Sequence, residues 1–216
     1  RSTLFPYTTL FRSWLTGHAL ACAVTDAGGR AFRVAAVPDE LGALRETIED
    51  QLVRADVLIT TGGLSVGQGD TVKDVLAPLG SVRFDAVAMS PGRQLGVGTV
   101  EGTPIFCLPG DPVSAQIAFE TFVRPVLRQI AGWSALHRSS LPATVSAGWR
   151  SPAGKREFVP VHLTGSPTKG YRASPVAAPG TTPLLGLARA NAIAVVPEDT
   201  RTVVAGDRLH CLLLDA

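Results

Sequence analysis

Apolar residues at Leu15, Ala19, Leu20, Ala23 and Val24 recur at the spacing of one helix face, and AspAlaGlyGly at 26–29 ends the pattern. AlaPheArgValAlaAlaVal, 31–37, predicts a strand. Pro38, Asp39 and Glu40 then open a helix toward Arg54, with Leu41, Leu44, Ile48, Leu52 and Val53 on one face and acids near its positive end. AspValLeuIleThrThr, 56–61, is the short, continuous apolar run of a strand buried in a parallel sheet. A helix is expected over 70–79, ended by Gly80. Strands follow over 82–88, 95–100 and 104–108, the last two around the turn GluGlyThrPro. A long helix runs from Pro112 to Ala131, with proline at a helix start where its missing N–H costs nothing.

Helices alternating with strands across short loops predict a doubly wound α/β domain, whose ligands bind beyond the C-terminal ends of the strands. After Trp133 the pattern changes. Short β-like runs at 142–149, 156–163, 171–177, 192–197 and 208–214, punctuated by Pro and Gly, predict a small all-β barrel or sandwich, with a short helical stretch over 184–191. The expected division is an α/β domain over 14–133 and an all-β domain over 139–216, with a linker near 132–141.

Composition narrows this only a little. At 216 residues and 45% hydrophobic, the chain can bury two cores. A net charge of +2, evenly interspersed, gives no argument for nucleic acid or an anionic membrane as partner. Cys22, Cys107 and Cys211 have neither metal-ligand spacing nor an even count for a disulfide framework, which fits a reducing cytoplasm. No apolar run approaches the roughly 20 residues that span a bilayer. ThrLeuPheProTyrThrThrLeuPheArgSer, 3–13, reads as one frame of a common sequencing adapter. Residues 1–13 are therefore set apart from the fold, and the native chain is expected from Trp14 onward.

Candidate chemistry gathers in two loops. ThrThrGlyGlyLeuSerValGlyGlnGlyAsp, 60–70, is glycine-rich and ends in a carboxylate. LeuProGlyAspProValSer, 108–114, opens the long helix. Gly62, Gly63 and Gly67 let the backbone approach an anion, or they make an ordinary strand-to-helix turn. Ser65 could donate to that anion or cap a helix. Asp70 could hold a cation beside a phosphate, cap the helix that follows, or do both. Asp39 reads from its position as a first-turn helix acid. Pro109, Gly110, Asp111 and Ser114 form the second loop. There Asp111 would repel a phosphate unless Mg2+ lay between them or its side chain turned to cap the helix.

These two motifs, with AlaMetSerProGlyArgGln (88–94), PheGluThrPheValArgPro (119–125), SerProAlaGlyLysArgGluPhe (151–158) and LeuAlaArgAlaAsnAlaIleAlaValValProGlu (187–198), resemble the molybdopterin molybdenumtransferases, relatives of the gephyrin E domain. The resemblance covers nearly all of 14–216. It implies the third and fourth of the family's four domains, with the first two and the opening strand of the third missing. The implied reaction inserts molybdate into adenylylated molybdopterin with Mg2+ and releases AMP, in a cytoplasmic homodimer. It assigns Asp70 to metal, and Asp70, Asp39 and Arg93 to catalysis. It assigns Gly62, Gly63, Ser65, Gly67, Pro109, Gly110, Asp111 and Ser114 to cofactor binding. Arg93 keeps one cation of the family's Lys-Pro-Gly-Lys-Pro pattern, whereas Ser90 replaces the other with a hydroxyl and Asp111 replaces an asparagine. The alternatives are a molybdopterin adenylyltransferase, a pterin-binding fragment without turnover, and a gephyrin-like scaffold.

Overall fold

The computed structural model describes residues 5–37, 40–64, 71–177 and 184–214. The chain divides into two compact units. The first comprises Arg1–Val87 and Gln94–Leu136, the second Ala88–Arg93 and His137–Ala216.

The first unit is a three-layer α/β structure. Its helices are α1 (Phe5–Asp26), α2 (Leu41–Leu52), α3 (Thr71–Leu79) and the long C-terminal helix. Its strands are β1 (Leu58–Thr61), β2 (Gly80–Ala86), β4 (Gln94–Val100) and β5 (Thr103–Leu108), in the order β1-β5-β4-β2. β1 and β5 are parallel, while β4 pairs antiparallel with both β5 and β2. The hairpin β4–β5 turns on Glu101 and Gly102, both with positive φ (50° and 85°), so its twist matches that of the strands.

Alternation along β5 divides the core. Phe106 and Leu108 pack with Leu20, Ala23 and Ala27 of α1 and with Ala115, Ala118, Phe119 and Val123 of the long helix. Ile105 and Cys107 pack on the other face, against Ile48 of α2 and Val72, Val75 and Leu76 of α3. Cys107 faces the Thr60 hydroxyl across the β1–β5 pair, and burial pushes its thiol up to about 11, so it is packing and not a nucleophile.

Two expectations are corrected here. Residues 31–37 form no strand, and Phe32 (72% exposed) and Val34 (47%) face solvent. A strand exists only through its ladder, and among the described residues nothing pairs with the outer edge of β1. The helix expected over 112–131 is α4 (Pro112–Ala118), a π-helical turn (Phe119–Val123) and α5 (Arg124–Ile130). Pro125 has no N–H for the ordinary helical bond. The turn before it widens, and the Arg124 N–H donates five residues back to the Phe119 carbonyl.

The second unit is a β-barrel. Its strands are β3 (Met89–Ser90), β6 (Ser140–Val145), β7 (Trp149–Arg150), β8 (Arg156–Ser166), β9 (Gly170–Pro175), β10 (Ala192–Val196), β11 (Thr202–Val203) and β12 (Arg208–Leu213), with the short helix α6 (Leu184–Arg189). The order β10-β12-β6-β9-β8 closes because β8 also pairs with β10. Closure removes the free edges that a sandwich would leave. Val145, Val161, Ala173, Ala194, Val196 and Cys211 fill the interior. No helix among the described residues is long and apolar enough to cross a membrane.

Candidate functional site

β1 and β5 run parallel and in register to their ends, with Thr61 opposite Leu108. The two motif loops therefore leave the sheet side by side at its C-terminal edge. The Gly62 N–H donates to the Leu108 carbonyl at 3.0 Å. A Cβ on Gly110 would lie 3.3 Å from the Gly62 Cα, so the two backbones touch where each has only hydrogen on its Cα. Gly62 and Gly63 have φ of 86° and 67°, and a Cβ on Gly63 would come within 2.6 Å of Val72 Cγ2 at the start of α3. Gly63→Ala is expected to lower stability by about 1–2 kcal/mol for the left-handed backbone alone, with the Val72 contact adding to it. Urea unfolding of the variant against the wild type measures this.

Asp111 resolves one of the alternatives read from sequence. It is the N-cap of α4 (φ −70°, ψ 128°), and its Oδ1 accepts from both the backbone N–H and the hydroxyl of Ser114, each at 2.9 Å. The carboxylate takes the acceptor position that an incoming anion would otherwise occupy. Two of the amides in the motifs, at Gly62 and Ser114, are thus committed within the protein.

Ser65, Gly67, Asp70 and Asp39 lie outside the described residues. The structure brings Gly62, Gly63, Pro109, Gly110, Asp111 and Ser114 together on one edge of the first unit. Arg93 belongs to Ala88–Arg93, which the fold assigns to the second unit. There Met89 and Ser90 pair in parallel with Arg156 and Glu157 of β8, and the Arg156 N–H donates to the Ala88 carbonyl at 3.0 Å. Glu157 is buried and accepts from Trp149 Nε1 at 2.9 Å, which fixes the stretch of β8 on which the 88–93 segment rests. Sequence periodicity joined 82–88 into one strand and gave no sign of this change of unit.

The sequence reading also missed Thr16. It is buried in α1, 1% exposed, and its Oγ1 donates to the Gly110 carbonyl at 3.3 Å. A hydroxyl at helical spacing from Leu20 and Ala23, on the buried side of α1, is the signal that could have found it. Among the described residues no group of three His, Cys, Asp or Glu side chains could hold a metal. Asp111, the acid of the described loops, has Oδ1 engaged by Ser114.

Comparison with known proteins agrees with this architecture. Residues 15–129 match the family model described as "Probable molybdopterin binding domain", and residues 142–214 match that of the "MoeA C-terminal region (domain IV)". The chain is 38% identical over 197 residues to molybdopterin molybdenumtransferase 2 of Mycobacterium tuberculosis, covering 88% of this chain and 48% of that protein. It is 34% identical over 204 residues to the molybdopterin molybdenumtransferase of Nostoc, covering 91% and 46%. The solved structure of the molybdopterin biosynthesis MoeA protein from Pyrococcus horikosii superposes with a TM-score of 0.78 at 26% identity, over 93% of this chain and 48% of that one. The chain thus spans about half the length of the relatives it matches. The sequence match over both units and the agreement in fold place this chain in the molybdopterin-binding-domain family, as a MoeA-type member that carries domain IV.

Proposed function

We propose that the edge formed by residues 60–70 and 108–114 binds the phosphate side of molybdopterin, and that the whole protein is a molybdopterin molybdenumtransferase of molybdenum-cofactor synthesis. The observation that carries this reading is the contact of Gly62 with Gly110 at the ends of the parallel pair β1–β5. It makes one backbone-lined surface of two loops that are far apart in sequence. The naming of the relatives supports the reaction class.

The dithiolene that receives molybdenum belongs to the pterin, so the protein's part is to position the ligand and place charge around it. Gly62, Gly63, Pro109 and Gly110 would hold the ligand close to backbone. Ser65 and Gly67 would extend the same surface. Asp111 and Ser114 would set the second loop by capping α4. In the whole protein the substrates would be adenylylated molybdopterin and molybdate, with AMP released, in a cytoplasmic homodimer. Mg2+ would rest on Asp70, with Asp39 as a second site carboxylate. Among the described residues the acids form no ligand set.

Anaerobic calorimetric titration of the chain with molybdopterin, with and without Mg2+ and with Asp70→Ala alongside, tests the reading. Saturable binding that weakens without Mg2+ and in Asp70→Ala is the expected result. A folded chain that takes up no molybdopterin would contradict it.

A further inference from the structure

We propose that Thr16 is a positioning residue of the two-loop surface, fixing through its hydroxyl the peptide between Gly110 and Asp111. The proposal rests on the reading of that surface as a pterin-phosphate site. Thr16 lies on the inward side of α1, one turn before Leu20, where a hydroxyl removed from water needs a partner. Thr16 reaches out of its helix, to a carbonyl 94 residues away in sequence.

The carbonyl it holds belongs to a glycine. Without a Cβ, Gly110 has wide freedom in φ and ψ, and only its neighbours restrict it. Gly62 closes one side at van der Waals contact, and Thr16 holds the carbonyl oxygen. A trans peptide is planar, with its C=O and the following N–H pointing in opposite directions. Fixing the Gly110 oxygen toward α1 therefore aims the Asp111 N–H away from α1, and it sets the plane from which the Asp111 carboxylate reaches back to cap α4. One buried hydroxyl thus governs an amide of the loop and the start of the helix behind it.

Thr16→Val keeps the shape and removes the hydroxyl, whereas Thr16→Ser keeps the hydroxyl and removes the methyl. Molybdopterin affinity of the full 216-residue chain, measured by anaerobic calorimetry, is expected to fall about five- to tenfold in Thr16→Val, the equivalent of one hydrogen bond. Thr16→Ser should bind like the wild type. Amide hydrogen exchange over 108–115 without ligand should quicken in Thr16→Val, with β4 and the barrel unchanged. A structural defect alone would instead loosen the whole first unit. Wild-type affinity and exchange in Thr16→Val would overturn the positioning role and leave the pterin reading intact. Loss of binding in Thr16→Ser to the level of Thr16→Val would also overturn it, and this variant decides the matter if Thr16→Val does not fold. Failure of the wild-type chain to bind molybdopterin would overturn the pterin reading and the positioning role with it.

Discussion

Replacing Arg124 by alanine is expected to cost about 3–5 kcal/mol of folding stability, the scale of an ion pair broken inside a core. The Arg124 side chain is 3% exposed. Its Nη1 donates to Asp26 Oδ2 at 2.7 Å, and its Nε lies 3.8 Å from Glu120 Oε2, on a side chain that is also 3% exposed. Asp26, at the end of α1, is half exposed and can turn to water once the guanidinium is gone. Glu120 cannot. It would keep the amide of Gln116, at 3.5 Å, but lose the Arg124 guanidinium. The variant therefore takes a cation away from a buried carboxylate, which costs more than losing an exposed pair. Glu120→Gln combined with Arg124→Met should recover much of the stability, because neither partner then carries charge. Urea denaturation of the two variants measures the difference. Equal midpoints for Arg124→Ala and the wild type would mean that the pair contributes nothing.

The second large effect is expected at Phe119, where alanine should destabilise the first unit by about 3–5 kcal/mol, as emptying a closed aromatic site does. Phe119 is fully buried and packs with Leu20 and Ala23 of α1 and Phe106 and Leu108 of β5. It sits at the start of the π-helical turn, where its carbonyl accepts from Arg124. The alanine variant leaves that backbone bond in place, so thermal unfolding should report the cavity alone. Phe119→Leu should lose less, since it refills part of the volume.

The legible parts of the fold were those that a local pattern determines. A continuous apolar run placed β1, the turn GluGlyThrPro placed β4 and β5 around it, helical spacing placed α2, and Pro112 marked the start of α4 to the residue. The resemblance in the two motifs and the tail led to the family that the comparisons bear out. The parts that were not legible depend on partners distant in sequence. AlaPheArgValAlaAlaVal reads as a strand, but a strand also needs a ladder, and 31–37 has none among the described residues. Pro125 is visible in the sequence, yet its effect appears one turn earlier, as a widened helix that puts Glu120 and Arg124 on the inside. Met89 and Ser90 continue an apolar run locally but pair with β8, more than sixty residues later. Asp111 could be read as a cap or as a metal-linked acid, and only its distance to Ser114 decides for the cap. Thr16 was passed over because helical periodicity counts apolar residues, and a buried threonine with a remote partner falls outside that count.

The proposed function requires the loops at the ends of β1 and β5 to act as one ligand-binding surface. Amide hydrogen exchange of the whole chain, with and without molybdopterin under anaerobic conditions, tests it most directly. The ligand should slow exchange in peptides covering 60–70 and 108–115 together, and leave the barrel interior strands β10 and β12 unchanged. Binding that protects neither loop, or only one of them, would contradict it.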